Sequence, residues 1–231
     1  MAVDVRKTAL ITGASRGLGC ALCWRYLDEG FDVIGISRRT PNPDLRHQTA
    51  FTWLRGDLTK RLTYRRIEQH LVELNGLQVL INCAGLARFG PIHALDFEEV
   101  QSMVSLNLAA PMALTGLCSG PLAIAGGTVV NILSTAALRI NAEEAVYCAT
   151  KHGLKAFTKA ARKEFSTREI RVMSVYPGGM DTSLWNDPAN ADRRPVGALD
   201  PHAVAAQIFR FVEAPVDPDR LDLVIPRDSG D

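Results

Sequence analysis

The sequence lacks long runs of charge, long apolar runs and paired cysteines. Its 26 Lys and Arg stand against 25 Asp and Glu, a formal net charge of +1. Neither sign gathers into the block that binds nucleic acid or another polyanion. No apolar stretch reaches the roughly 18 residues that a membrane span needs. Met1 to Lys7 lack the charged-then-apolar pattern of a leader, so a soluble, cytoplasmic protein with no membrane partner is expected. The five cysteines, at 20, 23, 83, 118 and 148, are odd in number and scattered through apolar segments, and they read as reduced core residues. Cys20 and Cys23 form a Cys-x-x-Cys inside a predicted helix with no second ligand pair, and the five histidines show no ligand spacing. No metal is expected. Nothing in the composition marks a linker.

What the chain does have is apolar content: 47% of 231 residues, enough for one substantial core. Seven short strand-like runs fall at 7–12, 31–37, 51–55, 77–81, 128–133, 171–176 and 221–225. Helical periodicity occupies 20–27, 60–74, 96–118, 145–166 and 201–212, the last opening with Asp200 as N-cap and Pro201 at the first helical position. Strands alternating with helices predict one α/β domain over 1–231, a doubly wound, mostly parallel seven-stranded sheet with helices on both faces. Residues 40–50 hold Pro41 and Pro43 and leave little room for a helix, and 183–199, rich in Pro, Asn and Asp and carrying Trp185, reads as a mobile flap.

Between the first strand and the first helix lies Gly13-Ala-Ser-Arg-Gly17-Leu-Gly19. A glycine turn opening a helix lets backbone N–H groups approach a pyrophosphate at the positive end of the helix dipole, with no Cβ in the way. At the end of the second strand, where a carboxylate would bond the adenosine ribose of NAD, stand Ser37, Arg38 and Arg39. With Arg16 these cations suit a 2′-phosphate, so NADP(H) is the expected cofactor. Asp57 and Leu58 follow the third strand, and Asn82-Cys-Ala84-Gly85 follows the fourth. Ligands bind at such carboxyl ends in open sheets.

Ser134 follows the fifth strand, and Tyr147 and Lys151 sit four apart at the start of the next helix, on one face. A phenol with a reference pKa near 10 needs help to exchange protons near neutrality, and a neighbouring ammonium favours the phenolate. Asn107 lies in the helix 96–118, where a buried amide satisfies backbone groups.

These motifs together resemble the short-chain dehydrogenase/reductases over essentially the whole chain. Thr12 to Gly19 is similar to the cofactor loop of that family, Asn82 to Gly85 to its Asn-x-Ala-Gly motif, and Pro177-Gly178 with Thr182 to its nicotinamide-side loop. The resemblance implies Ser134, Tyr147, Lys151 and Asn107 as catalytic residues. Tyr147 would exchange a proton with the carbonyl or alcohol oxygen, and Ser134 would stabilise charge on it. Lys151 would hold the nicotinamide ribose and lower the Tyr147 pKa, and Asn107 would anchor a proton-relaying water. Gly13, Ser15, Arg16, Gly17, Leu18, Gly19, Ser37, Arg38, Arg39, Asp57, Leu58, Asn82, Ala84, Gly85, Tyr147, Lys151, Pro177, Gly178 and Thr182 would bind the cofactor.

The implied activity is interconversion of a ketone or 3-oxoacyl carbonyl with a secondary alcohol. A related regulatory, nucleotide-binding subunit with little turnover is the alternative. The substrate is expected near Ser134, Leu138, Ile140, Asn141, Gly178 and Trp185. The chain ends soon after the last strand, which implies an open pocket and admits a carrier-tethered substrate whose acidic carrier meets Arg193-Arg194. A homodimer or homotetramer is expected, or a hetero-oligomer with a related subunit.

Overall fold

The computed structural model describes residues 6–215 and 217–227. Met1 to Val5, where no leader is expected, lie outside them. Seven parallel strands form one sheet in the order β3-β2-β1-β4-β5-β6-β7: β1 Thr8–Thr12, β2 Asp32–Ser37, β3 Phe51–Arg55, β4 Val79–Asn82, β5 Thr128–Ile132, β6 Arg171–Pro177 and β7 Asp222–Ile225. The inner strands β1, β4 and β5 are buried at every residue. This is why they read as unbroken apolar runs and not as alternating ones.

Helices cover both faces. On one, α1 (Gly17–Asp28) packs beside α8 (Pro201–Glu213), joined through the edge-to-face rings of Tyr26, Phe31 and Phe209. On the other lie α3 (Arg61–Val72), α4 (Phe97–Val104), α5 (Ala110–Leu117), α6 (Ser119–Ala125) and α7 (Ala145–Phe165). The helix α7 turns a stripe of Cys148, Lys151, Leu154, Thr158, Ala161 and Phe165 inward, a spacing of three and four. Among the described residues no single helix is long and apolar enough to cross a membrane; the apolar run formed by Phe97–Leu117 and Ser119–Ala125 is bent by 55° and contributes Met103, Leu114, Cys118 and Leu122 to the core.

Three segments differ from the sequence expectation. The stretch after β2 does form one helical turn, α2 (Pro43–Arg46), because the Asn42 side chain accepts from Asp44 N–H at 2.9 Å and Pro43 stands at the first helical position. The helix expected over 96–118 is broken by a π-helical turn at Ser105–Ala109, which carries Asn107. The segment 183–199, read as a flap with no element, contains two 3-10 turns, Ser183–Asn186 and Pro188–Arg193.

One buried polar chain ties the sheet to α7. Asn82 donates from Nδ2 to Asn131 Oδ1 at 2.8 Å, Asn131 donates to Thr158 Oγ1 at 2.9 Å, and Thr158 donates to Leu154 O at 2.7 Å. Asn131 and Thr158 are fully buried. Replacing Asn131 by Ala takes one hydrogen-bond partner from each of the buried Asn82 and Thr158 side chains. It should cost about 2 kcal/mol of stability, read from urea unfolding as a lower midpoint with an unchanged slope.

Candidate active site

The order reversal of the sheet falls between β1 and β4, whose chains diverge to opposite sides and leave a crevice at their carboxyl ends. Two features hold its lips together. The Thr12 hydroxyl accepts from both Cys83 N–H and Ala84 N–H at 2.9 Å. Gly13, at φ +79°, lets the Ala84 backbone approach so closely that an added Cβ would stand 3.2 Å from it. A cavity of ≈ 670 Å³ opens from this point along the tops of the strands.

At one end of the cavity is the glycine loop. Gly13, Ser15, Arg16, Gly17, Leu18 and Gly19 all line it. The first turn of α1 has neither a side-chain cap nor an acidic residue, so its N–H groups and the dipole are left for an anion. Gly17, at φ +56°, meets Thr182, and a side chain at Gly19 would overlap the Gly13 carbonyl oxygen. Arg16 is surrounded by like charge: burial lowers its pKa first, and Arg39 and Arg38 lower it further. Arg38 lies 4.0 Å from Asp57, whose carboxylate accepts from Thr59 N–H and Oγ1 at 2.9 and 2.8 Å. An uncapped helix end, a backbone turn with no Cβ and the guanidiniums of Arg16, Arg38 and Arg39 beside it fit a dinucleotide whose adenosine end lies there. Arg16, Arg38, Arg39, Asp57 and Leu58 border that end, and Ala84, Gly85, Pro177, Gly178 and Thr182 the other.

Ser134, Tyr147 and Lys151 meet on the far wall. The Ser134 Oγ accepts from Ala136 N–H at 3.1 Å and is close enough to the Tyr147 phenol to favour its charged form. Lys151, only 5% exposed, donates from Nζ to Ile132 O at 3.0 Å and lies 5.6 Å from the Tyr147 ring centroid. The expected lowering of the Tyr147 pKa by Lys151 is not what this arrangement produces. Burial pushes the phenol up to about 12, Ser134 pulls it down, and Glu144 and Cys148 push it up again. Burial lowers Lys151 to about 8, with Cys83 opposing. Both groups are drawn toward their neutral forms because the same core that positions them strips them of water.

Other expected residues are placed elsewhere. Asn82 does not line the cavity; its side chain points into the sheet as the first link of the Asn131 chain. Asn107 does not line it either. Its Oδ1 accepts from Leu86 N–H at 2.9 Å and its Nδ2 donates to Leu86 O at 2.8 Å and to Thr150 Oγ1 at 3.3 Å, so the amide clamps the loop after β4 where a water-anchoring role was expected. The Ser37 hydroxyl donates to Arg39 O at 2.8 Å and accepts from Trp53 Nε1 at 3.0 Å, which commits its proton inside the protein. Leu138 and Ile140 point outward, 46% and 81% exposed, and Arg139 and Asn141 line the cavity in their place.

The segment 183–199 is docked over the site. Asn190, fully buried, donates to Ala87 O at 3.0 Å and Leu184 O at 3.2 Å, and Arg88 pairs with Asp187 at 2.6 Å. Trp185 stacks on Phe89 at 6.0 Å between ring centroids, and Phe89 stands edge-on to Tyr147 at 5.7 Å. Arg193 and Arg194 are engaged by Glu143 and Asp181, so the acidic-carrier expectation loses its pair of free cations. Phe89, Glu144, Asn190 and Arg227 are contributions that sequence reasoning missed, and none carried a local signal. Thr12 opens the cofactor-loop motif, but the motif does not assign its hydroxyl the role of joining the two strands.

A family profile described as short chain dehydrogenase matches residues 7–193. The NADPH-dependent 3-dehydrocapnine reductase of Ornithobacterium rhinotracheale is 28% identical over 221 residues, 90% of this chain and 77% of that one. A 3-oxoacyl-[acyl-carrier-protein] reductase of Chlamydia trachomatis is 29% identical over 191 residues, 78% of this chain and 76% of that one. Among solved structures, a short-chain dehydrogenase from Sphingobium yanoikuyae in complex with NADPH superposes with a TM-score of 0.82 at 26% identity, covering 95% of this chain and 87% of that one. A 4-hydroxyisoleucine dehydrogenase complexed with NADH gives 0.82 at 25%, covering 96% and 98%.

The close approach at Gly19 makes a defined prediction. Gly19→Ala must push the glycine loop off its path, so dinucleotide affinity measured by calorimetry should fall tenfold or more, roughly 1.4 kcal/mol, while the far-UV circular dichroism stays that of the parent.

Proposed function

The chain belongs to the short-chain dehydrogenase family, and on that premise we propose that it is an NADP(H)-dependent oxidoreductase interconverting a ketone or 3-oxoacyl carbonyl with a secondary alcohol. The observation that carries this reading is the joint placement of Ser134, Tyr147 and Lys151 on the wall of a cavity whose other end is an uncapped helix terminus ringed by arginines. The cofactor supplies the hydride. The mutual repulsion of Arg16, Arg38 and Arg39 supports NADP(H) over NAD(H), since a phosphate dianion relieves it. The NADPH-dependent relative and the NADPH-bound neighbour support the same choice.

In this reading Tyr147, with its pKa near 12, is fully protonated at neutral pH and gives its proton to the carbonyl oxygen as the alcohol forms. The Ser134 hydroxyl bonds the same oxygen and stabilises the charge that develops on it. The Lys151 ammonium, over the Tyr147 ring, offsets the phenolate left behind. Phe89 and Trp185 close the substrate side and keep water from the transferring proton. Exposed Phe97 and Val104 on α4, beside α7, support assembly with a second copy.

Tyr147→Phe should lower kcat for ketone reduction by at least a thousandfold while calorimetry finds NADPH binding within about threefold of the parent and NADH at least tenfold weaker than NADPH. A cofactor-binding subunit without turnover would bind NADPH equally well and reduce no carbonyl of a broad panel.

A second prediction concerns pH. The active form carries Lys151 protonated, and its pKa is lowered to about 8 in the cofactor-free protein. The charge is therefore complete below pH 8 and lost above it, so kcat/KM for reduction should be level below that point and fall through it. A profile rising through pH 8 would reverse the assigned role of Lys151.

A further inference from the structure

The substrate side of the cavity has an excess of positive charge that the reaction does not use. Arg139, Arg193 and Arg227 line it, against the single carboxylate Glu144. Three of these four are already engaged. Arg193 pairs with Glu143, Glu144 accepts from Asn141 Nδ2 at 3.0 Å, and Arg227 donates to Val196 O at 3.4 Å. Arg139 differs. Its backbone is held, with its N–H donating to Thr135 O at 3.2 Å beyond the 3-10 turn Thr135–Ala137. Its guanidinium makes no ion pair or hydrogen bond among the described residues.

We propose that Arg139 is a specificity-determining residue that binds an oxyanion, of the carboxylate class, on the far end of the substrate. The inference rests on the carbonyl-reductase reading and names its substrate class: an oxo acid with an apolar body. The ketone would lie at Ser134 and Tyr147. The body would run along Phe89, Leu184 and Trp185, which form the apolar wall on that side, and the acid would reach Arg139. The guanidinium is suited to this because its planar fork takes a carboxylate in two parallel hydrogen bonds. The cofactor phosphates do not compete for it. Arg139 stands on the Ser134 and Tyr147 segment, whereas the anion-binding helix terminus and the Arg16, Arg38, Arg39 cluster lie at the opposite end. Neither acidic neighbour in the chain forms an ion pair with Arg139: Glu143 pairs with Arg193, and Glu144 accepts from Asn141.

The test compares a medium-chain oxo acid with its carboxamide, matched in size, using NADPH and the full chain. The parent protein should prefer the acid in kcat/KM by roughly ten- to hundredfold. The preference should shrink as salt is raised from roughly 20 to 500 mM, where screening shortens. Arg139→Gln should bring the acid-to-amide ratio to about one, and Arg139→Lys should retain part of it. A parent ratio near one, or a ratio unchanged in Arg139→Gln, overturns the subsite. If the parent reduces other ketones but not this acid, the subsite is wrong and the reductase reading stands. If it reduces no carbonyl at all, that reading fails, and calorimetry of the acid on the NADPH-loaded protein still decides the subsite: binding of the acid but not the amide, lost in Arg139→Gln, supports it, and equal or absent binding overturns it.

Discussion

The junction of β1 with the loop after β4 is the constraint on which the rest of the molecule depends. Two backbone N–H groups share the Thr12 hydroxyl, and Gly13 has no Cβ, so the Ala84 backbone closes onto the glycine turn. That closure sets the depth of the crevice at the sheet reversal. It also places the next residues, Gly85 and Leu86, where Asn107 from the π-helical turn can clamp them through both of its amide atoms. A π-turn widens the helix locally, and here the widened residue is the one whose side chain leaves the helix to serve a neighbouring loop. Gly85 in turn lies near Lys151, so the carboxyl end of β4 and the first turns of α7 are held at a common distance.

Electrostatics divides the cavity into two ends with opposite problems. At the adenosine end, Arg16 lies within reach of the like charges of Arg39 and Arg38, and of these only Arg38 is paired with Asp57, at 4.0 Å. At the chemical end, a half-buried phenol and a buried ammonium have few polar partners, and each is pushed toward neutrality. The same fold property produces both. Carboxyl ends of parallel strands gather side chains from many loops into one low-dielectric crevice, where like charges repel strongly and isolated charges lose hydration. An anionic ligand is the natural complement to the first end, and a polar substrate oxygen with a positive neighbour to the second.

The roof over the chemical end is built from long-range contacts. Asn190 reaches back to Ala87, Arg88 reaches forward to Asp187, and Phe89 lies between Trp185 and Tyr147. Glu143, held at φ +62°, takes the Gly90 N–H on its carbonyl and Arg193 on its carboxylate. Backbone strain at one residue is thereby retained by bonds to two other loops, a pattern associated with functional sites. The result is three loops bonded to one another around the substrate side, with the exposed Arg139 left uncommitted at its edge.

Much of the fold was legible in the chain. Seven apolar runs, the helical stripe of α7 and the glycine turn are local patterns, set by backbone sterics, by unbroken short runs and by the 3.6-residue period, and the sheet they predict is the sheet observed. The four-residue spacing of Tyr147 and Lys151 put them on one helical face for the same reason. The misjudged residues were those whose partners are distant in sequence. Asn82 turned into the core because Asn131 and Thr158 offered it bonds there, Ser37 was pinned by Trp53, Asn107 was captured by Leu86, and 183–199 gained order from Ala87 to Phe89. Residue types and spacings determined by themselves the strands, the cofactor loop and the set of candidate groups. Only tertiary packing decided which polar atoms face the cavity and at what pKa, because burial and hydrogen-bond partners are properties of the assembled core and are carried by no local segment.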